Sequence, residues 1–212
     1  MNNSSLLTPN LGLPEASRVN RPLPKAQLFK RFDWTPSQRE RFDGEVSRLD
    51  VVNWISSQTI PAITIGDEVK EIMVVDVLLK SREFDTKSII QFAKFFPYRT
   101  VYLLRYEDEA MLAAYHAKLF TTPWRAIDNI SLPLSGLNLD AVWENMVSTI
   151  GDFSVDQDKS LTEQIKLDEE RAKLERQIAA LERQMKATKQ PRRKRELFVE
   201  LQKLKQQKLY NG

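Results

Sequence analysis

Asp76 and Lys80 stand four residues apart in the run from Val69 to Lys80, and the alternation of an extended chain puts both on one side of it. A carboxylate that can hold a divalent ion, beside a lysine that can stand near an attacking water, is equipment for metal-dependent phosphodiester hydrolysis. Asp50 and Asp67 are further carboxylates that could enlarge the ligand set. The other chemistry on offer is electrostatic. Lys186, Lys189, Arg192, Arg193, Lys194 and Arg195 place six cations around one expected turn, enough to neutralise several nucleic-acid phosphates in binding that weakens steeply with salt. No aromatic residue interleaves that cluster to stack on bases, so a solvated cap on a helical turn is its plain alternative. His116 is the single imidazole, which excludes mechanisms needing two; between Tyr115 and Ala117 in an apolar strand it reads as structural. With no cysteine, disulfides, thiolate metal sites and cysteine nucleophiles are excluded together. Six scattered glycines make no phosphate-cradling loop, and no cofactor is implied.

The elements that must position these residues fit in 212 residues, room for one ordinary domain and an appendage. Hydrophobic residues at 42% are too many for a disordered chain. No apolar run approaches the roughly 20 residues of a bilayer span, so the expectation is a cytoplasmic protein without membrane contact. The charge is unevenly divided: residues 1–155 carry 17 basic and 19 acidic residues, residues 156–212 carry 15 and 10, and within these 183–212 carry 10 and 2. The basicity belongs to the tail.

Along the chain, Pro9, Pro14, Pro22 and Pro24 make residues 1–25 an extended arm outside any helix or ladder strand. Leu13, Pro14, Val19, Pro22 and Pro24 are its candidate partner-binding residues, since such a segment gains little from hydrogen bonds within the chain. A mixed α/β core is expected over 26–155. It begins with a turn or two of helix carrying Leu28, Phe29 and Phe32, and a short helix opened by Thr35-Pro36 as N-cap and first residue. A strand through Val46 to Ile55 follows, with a bulge where alternation slips at Val51-Val52. Ile60 to Ile65 reads as a short extended piece, and Val69 to Lys80 as the strongest strand. A helix over Thr86 to Phe95, with Asp85 before it as cap, and a strand from Thr100 to Tyr106 form a parallel crossover. Glu107-Asp108 turns into a last strand, Ala110 to Phe120, and Asn138 or Asp140 caps a helix to Ile150.

Residues 156–212 have another pattern. Leu167, Leu174, Ile178, Leu181 and Met185 recur at three- and four-residue steps over about three heptads. Pro191 stops that helix and suits the start of another, in which Leu197, Leu201 and Leu204 continue the seam. The expectation is an antiparallel helical hairpin, a coiled coil with a basic tip, whose first arm from Leu161 to Thr188 spans about 40 Å. The fold class is therefore α/β (α+β): a small mixed sheet with flanking helices, then the hairpin.

The element order also admits a restriction-endonuclease-like core, with Asp76 and Lys80 as its catalytic pair. That fold places the lysine two residues after the acid, where this chain has Leu78, so a version without chemistry is the better fit. Across nearly the whole chain, a succession of segments resembles the prokaryotic family called domain of unknown function 4391. They are Leu13-Pro14 through Arg18-Val19-Asn20 to Leu23-Pro24-Lys25; Leu78-Leu79-Lys80; Phe96-Pro97-Tyr98 leading into Val101-Tyr102-Leu103-Leu104-Arg105-Tyr106; and Leu137-Asn138-Leu139-Asp140. Gln91 and Phe96 stand where relatives carry a more acidic helix and an isoleucine before the proline. Members are typically encoded beside DNA methyltransferases and helicases of restriction-like defence loci. The resemblance therefore implies a noncatalytic accessory subunit of an antiviral DNA-processing complex, docked on a larger helicase or methyltransferase subunit, with DNA as a further candidate partner. A metal-dependent nuclease and a self-assembling coiled-coil module are the competing expectations.

Overall fold

The computed structural model describes residues 11–31, 34–156 and 159–210, so Pro9 and Phe32 lie outside the described residues. The chain divides into two compact units, Met1–Ser154 and Val155–Gly212.

In the first unit the described residues build a seven-stranded sheet: β1 (Arg18–Pro22), β2 (Val46–Ile55), β3 (Ile72–Leu79), β4 (Arg99–Tyr106), β5 (Glu109–His116) and β6 (Lys118–Thr121) lie side by side in that order, and β7 (Arg125–Ala126) also pairs with β5. Only β3 and β4 are parallel; the other pairs are antiparallel. The helices are α1 (Lys25–Arg31), α2 (Pro36–Glu45), α3 (Lys87–Phe95) and α4 (Leu139–Gly151). Joining β3 to β4 through α3 is the parallel crossover that a strand, a short helix and a second strand predict.

Local chemistry sets the element ends. The Thr35 hydroxyl accepts from the Gln38 amide while the Gln38 side chain accepts from the Thr35 amide, and Pro36 takes the first helical position, where a missing N–H costs nothing. The pairing of β2 with β3 slips between Val51 and Asn53, leaving Val52 as the extra residue of a bulge where the alternation breaks. Asn138, not Asp140, caps α4: its Oδ1 accepts from the Ala141 amide at 2.8 Å. Asp85 Oδ1 accepts from the Lys87 amide at 3.0 Å at the start of α3.

Both faces of the sheet are covered. Met73, Val75, Val77 and Leu79 of β3, with Tyr102 and Leu104 of β4, pack against Leu28 of α1, Phe42 of α2 and Ile89 and Phe92 of α3. The other face is closed by α4 against β5 and β6, presenting buried Leu139, Val142, Trp143, Met146, Val147 and Ile150.

Three expectations need correction. Arg18–Pro22 is not a free arm but the edge strand of the sheet, pairing with β2 through Arg18 to Asn53, Arg21 to Val51 and Pro22 to Asp50. Proline is compatible with this because the strand has one neighbour and the register shifts at Asn20, whose φ is 47°, before Pro22 closes it. Ile60 to Ile65 is not a continuous extended piece but a turn and a bend with a single bridge from Thr64 to Asn138. Ala110 to Phe120 is two strands: Ala117, at φ 59°, reverses the chain so that His116 faces Lys118.

The second unit contains α5 (Leu161–Ala187) and α6 (Pro191–Tyr210). Ser160 and Glu163 form a reciprocal cap at the start of α5, and Pro191 opens α6. The ion pairs Lys205–Glu182 (2.8 Å) and Lys208–Glu175 (2.5 Å) join the two helices. Leu174, Leu197 and Leu201 are buried, and Leu167, Ile178, Leu181, Met185 and Leu204 are half-buried. Among the described residues no helix is long and apolar enough to cross a membrane.

Candidate functional site

Asp76 lies in the middle of β3, opposite Asp50 of β2 and Leu103 of β4. Its side chain is 1% exposed, as is that of Arg105. Arg105 donates from Nε to Asp76 Oδ1 at 2.6 Å and from Nη2 to Oδ2 at 2.5 Å, a bidentate pairing that takes up both carboxylate oxygens. Burial pushes the Asp76 carboxyl above its ordinary range, against the opposing hydrogen bonds and charge of Arg105. On the neighbouring strand Asp50 pairs with Arg48 at 2.6 Å. Two acids facing one another across β2 and β3 are thus each matched by their own guanidinium.

Lys80 is exposed beyond the end of β3 and donates from Nζ to the Asp43 carbonyl at 2.6 Å, where α2 ends. Asp67 is exposed in the loop before β3. The structure therefore does not bring Asp76 and Lys80 to a common accessible surface, as strand alternation alone suggests. The reason is that both faces of this sheet are packed, so the side carrying Asp76 is interior. Among the described residues no group of three or more His, Cys, Asp or Glu side chains is arranged to hold a metal ion.

His116 ends β5 and is buried; its Nδ1 accepts from Trp143 Nε1 at 3.1 Å. Burial, and secondarily the charge of Arg99, lowers its pKa to about 4, which keeps the ring neutral at physiological pH.

Sequence reasoning missed two polar residues that organise this unit. Arg105 carried no signal, because its partner is 29 residues away on another strand. Asp140 reads from sequence as one of two candidate helix caps, but its carboxylate accepts from the amides of Asp67 (2.6 Å), Glu68 (3.2 Å) and Val69 (2.7 Å), fastening the loop before β3 to the first turn of α4. Gly66 permits that approach, since a Cβ there would fall 2.3 Å from Asp140 Oδ1.

The expected partner-binding residues divide. Leu13, Pro14 and Val19 are half-buried, with Val19 packed on the core beneath α1 to α3, while Pro22 and Pro24 are exposed. The six cations lie within residues 186–195, which span the α5–α6 connection, and all are exposed. Arg192 and Arg193 reach Glu196 at 3.6 and 3.1 Å, pairs that solvent leaves weak. Beside them α6 exposes Phe198 and Val199, each at 49%. A sequence model for a family described as Domain of unknown function (DUF4391) matches residues 11–207. No curated protein and no solved structure matches the chain.

Proposed function

We propose, from the premise that this chain belongs to the family described as Domain of unknown function (DUF4391), that it is a noncatalytic accessory subunit of a prokaryotic DNA-processing anti-phage complex, docking through its tail. The observation that carries this reading is the contrast between its two candidate sites. The acid that could serve hydrolysis is buried and engaged at both oxygens by Arg105, whereas the cations of the tail stand in solvent beside exposed Phe198 and Val199. In this account α5 and α6 act as a coiled-coil hairpin: the 3–4 spacing from Leu167 to Met185 and from Leu197 to Leu204 makes the inner seam, and the inter-helix ion pairs flank it. The exposed residues then form the outer, partner-facing surface. The partners are a larger helicase or DNA methyltransferase subunit and, at the basic tip, DNA. The place of action is the cytoplasm.

A titration of the intact chain with duplex DNA at rising salt tests the DNA contact. Affinity falls steeply with salt, and charge reversal at Arg192, Arg193 and Arg195 weakens binding at low salt. An unchanged curve in the variant assigns the cluster to solvation. The same preparation, assayed with divalent metal, cleaves no more DNA than the Asp76→Ala, Lys80→Ala double variant. Cleavage lost in that variant, and also in Lys80→Ala alone, which leaves the Asp76–Arg105 pair intact, would make the protein a nuclease.

A further inference from the structure

Phe96-Pro97-Tyr98 belongs neither to the tail nor to the buried ion pair, yet with neighbouring segments it lines a cleft of about 380 Å³ where the parallel strands β3 and β4 begin. One wall is Glu68 to Glu71, the loop that Asp140 fastens. The opposite walls come from the lead-in to β4, the end of α3 and Tyr115 of β5. That volume is within the range of small-ligand sites, about 300–1,000 Å³.

The lining narrows the ligand. Tyr98 is 36% exposed and is held edge-on by Trp54, with ring centroids 5.3 Å apart at 61°, so a surface aromatic ring is kept in a set orientation. Tyr115 is half-buried and has Lys94 Nζ 5.9 Å from its ring centroid. The Arg99 guanidinium sits 5.8 Å from the Trp143 centroid, and its ion pair with Glu68, at 3.7 Å and substantially exposed, is loose enough to yield to a more strongly charged anion. In the lining, Lys70 and Arg99 are matched in number by Glu68 and Glu71, and Lys94, outside the lining but beside Tyr115, tips the surroundings positive, which disfavours a cationic guest; a wholly apolar one would desolvate these charges without compensation. A planar ring bearing an anion suits an aromatic platform edged by cations, and the Glu68 and Glu71 carboxylates can accept hydrogen bonds from an exocyclic amine.

We propose that this cleft binds a single nucleotide unit, with the base stacked on Tyr98 and the phosphate on Arg99. The site lies in the first unit and goes beyond the docking role assigned to the tail.

Titration calorimetry on the intact chain tests it with AMP, with adenosine, and with a short single-stranded oligoadenylate. AMP binds saturably with Kd below about 1 mM, and adenosine about tenfold more weakly. Tyr98→Ala weakens AMP about tenfold while the chain stays folded, and Arg99→Gln brings AMP down to the adenosine affinity. An oligonucleotide that displaces AMP and binds more tightly identifies the end of a strand as the source of the nucleotide; one that does not displace it identifies the free nucleotide. Absence of AMP binding, or AMP affinity unmoved in both folded variants, overturns the proposal. Neither result bears on the tail, whose variants are separate.

Discussion

Arg105 of β4 holds Asp76 of β3 by two parallel hydrogen bonds in the interior of a sheet packed on both sides. The pairing joins the two parallel strands, and it neutralises a buried charge. Its net stabilisation is small, because desolvating both ions offsets most of their attraction; breaking one partner is a different matter. Arg105→Ala leaves an uncompensated carboxylate and lowers stability by about 3–5 kcal/mol, read by denaturant unfolding. The double variant Asp76→Leu, Arg105→Met orphans no charge and loses far less. Equal losses in the two would show that packing, not charge, governs the site.

His116 makes stability depend on pH. Its folded-state pKa, about 4, lies below the unfolded value of about 6.5, so the native state excludes a proton that the unfolded chain accepts. This contribution is fully present above the unfolded value and is lost as pH falls through that window, to a total of up to about 3 kcal/mol. His116→Asn, which keeps an acceptor for Trp143 but cannot titrate, flattens the stability profile between those limits. A profile as steep as that of the parent protein would place the dependence elsewhere.

Gly66→Ala drives a methyl group into the Asp140 carboxylate and costs about 1–3 kcal/mol. Because that carboxylate carries the amides of Asp67, Glu68 and Val69, hydrogen exchange at those three positions accelerates more than at the centre of β3. Uniform acceleration across the sheet would mean the loop has no separate anchor.

Much of this fold is legible where the cause is local. The apolar alternation of β3, the broken alternation at Val51-Val52, the Thr35-Pro36 start and the stripe on α4 are each set within a few residues, and each appears in the structure. What the pattern hides depends on distant partners. A proline-bearing segment becomes β1 because β2 offers it an edge, and Ala117 adopts a left-handed conformation that no glycine announces. Alternation puts Asp76 and Lys80 on one side of a strand but cannot say that the side is interior or that Arg105 waits there. The exposure of the six cations is legible, because it follows from their charge and from the turn at Pro191.

We propose that the globular unit breaks no bonds and that the tail grips a larger machine. Affinity purification of the intact chain from its native host, with the recovered proteins identified by mass spectrometry, decides this. The account predicts a DNA helicase or methyltransferase in near-equal amount to the chain, depleted when Phe198 and Val199 are changed to glutamate. Recovery of the chain alone, or of the same companions with that variant, would contradict it.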